Sequence, residues 1–186
     1  KWDDNPYRVL GRQAYDALSD NFALGSIGAG TGALTGMMKG GLGSASLVLD
    51  NGATVGALVA ANPIGSVTTP SDHHFWAAPF EIDGEFGGVG PDVASGLGRD
   101  LNSRKMKAFF ERANTTIAIV ATDMVLDKAQ CQRVAIAAHD GIGRAIVPAH
   151  MPGDGDSVFA LSTGALPMQT PDRDLMMIGH AAALCL

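Results

Sequence analysis

The spacing of apolar residues in the last third of the chain predicts two strands, each followed by a helix. Thr115–Asp123 (TTIAIVATD) and Ser157–Thr163 (SVFALST) are apolar runs rich in β-branched residues. Helical spacing follows in KAQCQRVAIAAHDGIGRAI and in the segment that begins near Pro171. Asp127 stands three residues before Gln130, a capping-box pattern for a helix start. This alternation predicts a layered sheet with helices packed outside it.

Earlier in the chain the pattern predicts a short helix and a hairpin. RVLGRQAYDALSD places its apolar residues at near-helical spacing. The apolar runs SASLVLD and ATVGALVAAN are joined by Asn51-Gly52, the dipeptide best suited to the positive backbone angles of a type I′ turn.

Glycine and proline mark the segments without regular periodicity. Much of the glycine lies in 25–43 and 84–98, where we expect turns or close approaches of the backbone. The stretch 63–100 is rich in Gly, Pro and Asp and predicts a long surface excursion. The segment 101–114 is compatible with either a helix or irregular structure.

Composition narrows the class of protein. With 46% hydrophobic and 17% charged residues, the chain is of ordinary globular type. The net charge of −6, without any run of Lys and Arg, argues against nucleic acid and an anionic membrane as partners. Cys131 and Cys185 have no CxxC spacing, so neither a disulfide framework nor a zinc site is expected. The chain begins with Lys1 and stops within an apolar run, so we expect it to be part of a longer protein.

Several motif matches are weak. GAGTGA resembles a dinucleotide fingerprint but lacks a clear preceding strand, and GMMKGG lacks the spacing of a phosphate-binding loop. DGDS lacks the third acidic ligand of a calcium loop, and the histidines show no metal-ligand spacing. Asn114-Thr115-Thr116 matches the glycosylation acceptor, but it leads directly into a predicted strand. We expect no metal or organic cofactor.

The Asn114-Thr115 step has a sharper interpretation. A threonine hydroxyl is a weak nucleophile until a base removes its proton, and an α-amino group with a pKa of about 7.7 to 8.0 is a suitable base. Cleavage before Thr115 would give one residue both groups, and its own hydroxyl can perform that cleavage by attacking the Asn114 carbonyl. The alternative interpretation is two β-branched residues that simply open a strand.

The motifs ANTTIAIVATD, KAQCQRVAIAAHDGIGRAI and DGDSVFALSTG resemble a family of self-processing hydrolases. It comprises the DmpA-type L-aminopeptidase/D-amino-acid esterases, the β-aminopeptidases and the nylon-oligomer hydrolases. The resemblance covers most of the chain and is strongest from Ala113 to Gly164. Family members are usually longer, with an N-terminal portion that carries part of the substrate pocket.

The resemblance implies a role for each of a small set of residues. Thr115 matches the nucleophile exposed by cleavage after Asn114; many aminopeptidase members have Ser there, whereas the nylon-oligomer hydrolases have Thr. Asn62 corresponds to the amide that helps to form the oxyanion hole. The remaining candidates are the pair that holds the nucleophile, Asp154 and Asp156, and the loop lysine of Thr-nucleophile members, Lys39. PGDGDS is also an ordinary polar turn, and we expect the two carboxylates to lie outside any packed core.

The resemblance also implies a fold, a processing scheme and partners. The fold is a four-layer αββα sandwich, related to that of the ornithine acetyltransferases. Residues 1–114 would be the C-terminal part of a large chain and 115–186 the small chain, both forming one domain. We expect a cytoplasmic homotetramer that hydrolyses small peptides or amino-acid amides and esters; the periplasm is the alternative compartment. Alternative functions are nylon-oligomer hydrolysis, acyl transfer to ornithine, and non-catalytic binding on the same scaffold.

Overall fold

The structure, a computed structural model, describes residues 4–36, 38–94, 105 and 114–186. Two short strands pair with each other, and four longer strands form the main sheet in the order β3-β4-β5-β6. The strands are β1 (Leu34–Thr35), β2 (Met38–Lys39), β3 (Gly41–Val48), β4 (Thr54–Asn62), β5 (Thr115–Met124) and β6 (Ser157–Leu166). The helices are α1 (Tyr7–Asp16), α2 (Lys128–Ala145) and α3 (Pro171–Cys185). The predicted helices and strands of the last third, the first helix and the hairpin are thereby confirmed.

The hairpin between β3 and β4 is closed by a different turn from the one predicted. The Gly52 amide donates to the Leu49 carbonyl and the Leu49 amide to the Ala53 carbonyl, so the loop has three residues rather than two. Gly52 has a φ of 85°, whereas Asn51 is not among the residues with positive φ. A type I′ turn needs positive φ at both central residues, and this geometry instead matches a turn followed by a single left-handed glycine.

Helices α2 and α3 cover one face of the sheet and form the core with it. The predicted capping box starts α2: the Asp127 carboxylate accepts from the Gln130 amide, and the Gln130 side chain accepts from the Asp127 amide, both at 2.8 Å. The two helices approach closely at Gly141, where a Cβ would lie 2.4 Å from the Ala183 carbonyl oxygen. The core cluster is apolar and small-residue-rich: Ala53, Val55, Ala57, Val120, Met124, Val134, Ala138, Ile178, Ala181, Ala182 and Cys185.

The opposite face of the sheet is open in the described part of the chain. Along β5 the side chains alternate between buried and exposed, as a strand with one covered face requires. Large apolar side chains on this face are exposed, namely Ile117, Ile119, Phe159 and Leu161. One helical layer and one main sheet are therefore described, and the apolar open face is where a second layer of the predicted αββα sandwich would pack.

The glycine-rich segment packs closely against β3 and β4, as its composition predicts. A Cβ at Gly40 would lie 2.1 Å from the Ala61 carbonyl oxygen. The segment after β4 is less superficial than predicted, because Ile64 is fully buried and Thr68 and Thr69 are 3% exposed. Of residues 101–114, the structure describes only Lys105 and Asn114. The prediction of either a helix or irregular structure for this segment therefore lies outside the described residues. Within the described ranges, no helix has both the length and the apolarity to cross a bilayer.

Candidate active site

Three parts of the chain meet at one edge of the main sheet. Strand β4 ends at Asn62, directly opposite Thr115 at the start of the antiparallel strand β5. The loop before β6 joins the same edge through a parallel bridge between Asn114 and Asp154. Directly opposed residues in an antiparallel pair carry their side chains on the same face. The sheet therefore brings together predicted site residues from three parts of the chain that are distant in sequence.

Two donors converge on the carbonyl oxygen of Asn114. The Thr115 hydroxyl donates a short hydrogen bond to it. The Gly155 amide donates to the same oxygen at 3.0 Å. Gly155 also leaves no space beside the hydroxyl, since a Cβ there would lie 2.6 Å from Thr115 Oγ1. The proposed nucleophile thus lies next to the carbonyl group that it would attack, and that group is already polarised by a backbone donor.

Asp156 anchors the residue after the proposed nucleophile. Its Oδ1 accepts from the Thr116 amide at 2.9 Å. Its Oδ2 accepts from the His150 amide at 3.3 Å and lies 2.9 Å from His150 Nδ1. The Asp156 side chain is only 3% exposed. Asp156 lies in the loop before β6 and outside the apolar core, as predicted, but its hydrogen bonds to β5 and to the loop at His150 bury the carboxylate.

Asp154 is held by the chain that leaves β4. Its Oδ1 accepts from the Ile64 amide at 3.1 Å, while its Oδ2 is buried and receives no hydrogen bond from any residue in the described ranges. Burial, followed by the nearby charge of Asp156, raises the pKa of Asp154 above its ordinary value. This carboxyl is thus also partly buried, although it lies in the predicted polar turn and outside the apolar core, and it holds a proton more readily than an exposed aspartate.

Asn62 is fixed by Lys105, which the sequence did not single out. Asn62 Oδ1 accepts from Lys105 Nζ at 2.9 Å and from the Leu34 amide at 3.1 Å. Lys39, the lysine predicted for the site, lies on β2 with an exposed side chain. Among the described residues, the ammonium that contacts Asn62 is that of Lys105. The role of Lys39 in the site stays a prediction.

Lys105, His150 and Gly155 were not among the residues predicted for the site. His150 has a φ of 56°, an uncommon backbone conformation for a non-glycine residue, and no sequence pattern predicts that conformation. Gly155 stands between two aspartates in PGDGDS, where a glycine also suits an ordinary turn. The sequence feature that points to Gly155 is its place between Asp154 and Asp156, which it separates by one residue.

The arrangement combines a hydroxyl, two carboxyls, an oriented amide and a backbone N–H donor. A hydroxyl nucleophile and hydrogen-bond donors for a developing oxyanion are groups that acyl transfer uses. Within the described residues, no group of three or more His, Cys, Asp or Glu side chains is placed to hold a metal ion.

Comparison with curated proteins gives relatives of two kinds. An uncharacterized aminopeptidase of Mycobacterium bovis is 40% identical over 195 residues, which cover 100% of this chain and 56% of the relative. A 6-aminohexanoate-oligomer endohydrolase of Paenarthrobacter ureafaciens is 27% identical over 179 residues, covering 89% of this chain and 47% of that enzyme. The chain thus spans about half the length of the curated relatives it matches.

Among solved structures, the L-aminopeptidase D-Ala-esterase/amidase of Ochrobactrum anthropi matches with a TM-score of 0.64 and 26% identity. The match covers 94% of this chain and 45% of that one, whose structure is described as a variant of the Ntn hydrolase fold. The predicted fold class is thereby confirmed, and the described residues contribute its helical layer of α2 and α3 and one main sheet. A model of peptidase family S58 matches residues 6–186, nearly the whole chain. The chain therefore belongs to peptidase family S58.

Proposed function

We propose that this chain is part of a self-processing hydrolase that cuts its own Asn114–Thr115 bond and then uses Thr115 as an N-terminal nucleophile. The observation that carries the proposal is the convergence of the Thr115 hydroxyl and the Gly155 amide on the Asn114 carbonyl oxygen. Membership of peptidase family S58 supports the hydrolase part of the proposal, because peptidases and the aminopeptidase relative hydrolyse amide bonds.

Self-cleavage begins when Thr115 Oγ1 attacks the carbonyl carbon of Asn114. Negative charge then develops on the Asn114 oxygen, where the Gly155 N–H stabilises it. The bond between that carbon and the Thr115 nitrogen breaks, and the nitrogen leaves with the proton released by the hydroxyl. The ester that results is hydrolysed by water, which leaves a carboxylate on Asn114 and a free amine on Thr115.

Turnover uses the Thr115 hydroxyl together with the amine that cleavage exposes on the same residue. The Thr115 amine takes the hydroxyl proton while Oγ1 attacks the carbonyl carbon of an amide or ester substrate. The amine then gives that proton to the leaving group, and water releases the acyl group from Thr115. Asn62 stands directly opposite Thr115, so its NH2 group is suitably placed to donate to the substrate oxyanion.

The two aspartates position the nucleophile. Asp156 binds the Thr116 amide, so it fixes the backbone immediately after Thr115. Asp154 lies beside Asn114 in the parallel bridge, close to where the new ammonium of Thr115 would form. A carboxylate near an ammonium favours its charged form, so the pair would steady the amine between turnovers.

Cleavage would leave residues 1–114 and 115–186 in one folded unit. Strand β5, which starts at Thr115, lies between β4 and β6 in the main sheet. A strand that is hydrogen-bonded on both sides does not separate from its sheet without unfolding. The predicted homotetramer and the cytoplasmic location remain proposals that rest on the resemblance to the family.

We propose small peptides and amino-acid amides or esters as the substrates, because the aminopeptidase relatives are the more similar ones. A second candidate is oligomers of 6-aminohexanoate. It is favoured by threonine at the nucleophile position and by the endohydrolase relative. Hydrolysis of amino-acid p-nitroanilides, compared with that of a 6-aminohexanoate oligomer at equal concentration, distinguishes the two.

The test of the nucleophile uses three variants of the full-length gene product. Thr115→Ala should abolish hydrolysis, because no hydroxyl remains, whereas Thr115→Ser should retain it. Thr163→Ala removes an exposed threonine hydroxyl on β6 and should leave the rate unchanged. A Thr115→Ala protein as active as wild type would overturn the proposal, and a folded wild-type protein without hydrolase activity would favour a binding function.

A further inference from the structure

Lys105 is a buried cation surrounded by carbonyl oxygens. Its side chain is 4% exposed. Its Nζ lies 2.5 Å from Pro63 O, 2.6 Å from Leu34 O, and 2.9 Å from each of Asn62 O and Oδ1, so its three N–H groups are shared among four acceptor oxygens. Burying an ammonium is costly unless hydrogen bonds compensate for lost water. These bonds join the start of β1 to the end of β4, beside the candidate active site.

The contacts of Lys105 decide the orientation of the Asn62 amide. The two ends of an asparagine amide have nearly the same shape, but one accepts hydrogen bonds and the other donates them. Asn62 Oδ1 faces two donors, Lys105 Nζ and the Leu34 amide. A rotated amide would place its NH2 group against both donors and lose both bonds. The NH2 end is therefore directed away from Lys105.

We propose that Lys105 is a positioning residue that acts through Asn62, holding its amide so that the NH2 end is presented to the substrate carbonyl oxygen beside Thr115. Asn62 and Thr115 are directly opposite each other on β4 and β5, so the orientation of the Asn62 amide affects the reaction at Thr115. The proposal rests on the proposed function, since it assigns Lys105 a part in that reaction. Lys105 itself does not touch the reacting atoms.

Lys105 also acts on the site through its charge. Its positive charge opposes the rise in the pKa of Asp154 that burial and Asp156 produce. Removal of Lys105 should therefore shift the acidic limb of the pH–rate profile to higher pH.

The experiment is a double-mutant cycle on kcat/KM in the full-length protein, with rates normalised to the amount of cleaved chain. Asn62→Ala and Lys105→Met should each lower kcat/KM by roughly 10²-fold, mainly through kcat, because each removes the oriented donor. At a pH above the acidic limb, where the rate no longer depends on the charge of Asp154, the double variant should be no slower than Asn62→Ala alone, because there Lys105 acts only through Asn62. Lys128→Met, which removes an exposed lysine at the start of α2, should match wild type.

Two losses that multiply in the double variant would overturn the inference, as would a fall confined to the melting temperature. If Lys105→Met does not fold, the same cycle is run with Lys105→Gln, which keeps N–H donors but not the charge. An additive cycle in an active, Thr115-dependent enzyme would overturn the role of Lys105 alone. Loss of Thr115 dependence would instead overturn the proposed function.

Discussion

The addition of one methyl group at Gly155 should lower the activity of this protein while leaving its stability nearly unchanged. Gly155 is an exposed residue in the loop before β6, so an alanine at this position does not disturb the packing of the core. A Cβ at this position would nevertheless lie 2.6 Å from Thr115 Oγ1. The nearest other atoms would be Thr115 Cγ2 at 3.4 Å and the Asn114 carbonyl oxygen at 3.5 Å, which are ordinary contacts.

The size of the effect follows from how far the hydroxyl must move. To reach an ordinary contact of about 3.4 Å, Oγ1 must retreat by roughly 0.8 Å or rotate away from the Asn114 carbonyl. A misplacement of about 1 Å can lower a rate by roughly 10²-fold, which corresponds to about 2.7 kcal/mol. The threonine side chain can rotate at small cost, so we expect a change of less than about 1 kcal/mol in the free energy of unfolding.

Gly155→Ala is assayed for the rate of self-cleavage, for kcat on an amino-acid p-nitroanilide and for melting temperature. Both rates should fall by roughly 10²-fold while the melting temperature stays near that of wild type. Gly143→Ala is the matched control, because a Cβ at this exposed helical position meets nothing within 4 Å. A Gly155→Ala protein that cleaves itself and turns over like wild type would refute the placement of the hydroxyl.

The other predictions concern the amide, the carboxyl and the imidazole of the site. Asn62→Ala should lower kcat by roughly 10² with little change in KM, and a change confined to KM would assign Asn62 to substrate binding instead. Asp154→Asn should lower kcat yet raise stability at neutral pH. The folded pKa of Asp154 is raised above 3.8, so the wild type loses stability as pH rises from about 3.8 through the folded pKa, and the Asn variant does not. Melting curves of both proteins from acid to neutral pH measure this, and a constant difference across that range would contradict it. His150→Gln should lower kcat about tenfold, equivalent to about 1.4 kcal/mol, because Asp156 loses the imidazole that holds its Oδ2. His180→Gln, on the exposed surface of α3, should leave kcat unchanged.

Local patterns predicted most of the secondary structure because the interactions behind them are local. The capping box of Asp127 and Gln130 joins residues three apart, and the alternation along β5 reflects a single covered face. The turn type of the hairpin was wrong because the pairing of Leu49 with Ala53 takes Asp50 into the loop. That register depends on how the strands pair over their whole length, which a dipeptide does not encode.

Only those site residues that belong to a recognisable sequence motif could be predicted from the sequence. Thr115, Asn62, Asp154 and Asp156 were identified through resemblance, and the sheet brings them to one edge. Lys105 could not be identified this way, because its partners are oxygen atoms of residues that lie 42 to 71 positions away in sequence. Three of those four oxygens belong to the backbone, so no residue type signals them. The close approach of Gly155 to Thr115 is likewise visible only in three dimensions.

Self-cleavage is tested most directly by the intact mass of the purified full-length protein under denaturing conditions. We expect two chains, of which the smaller begins with the sequence TTIAIVATD at Thr115. The Thr115→Ala variant should give one uncleaved chain, and Thr115→Ser should give two. A single intact wild-type chain with full hydrolase activity would contradict self-cleavage before Thr115, as would a cut at any other bond.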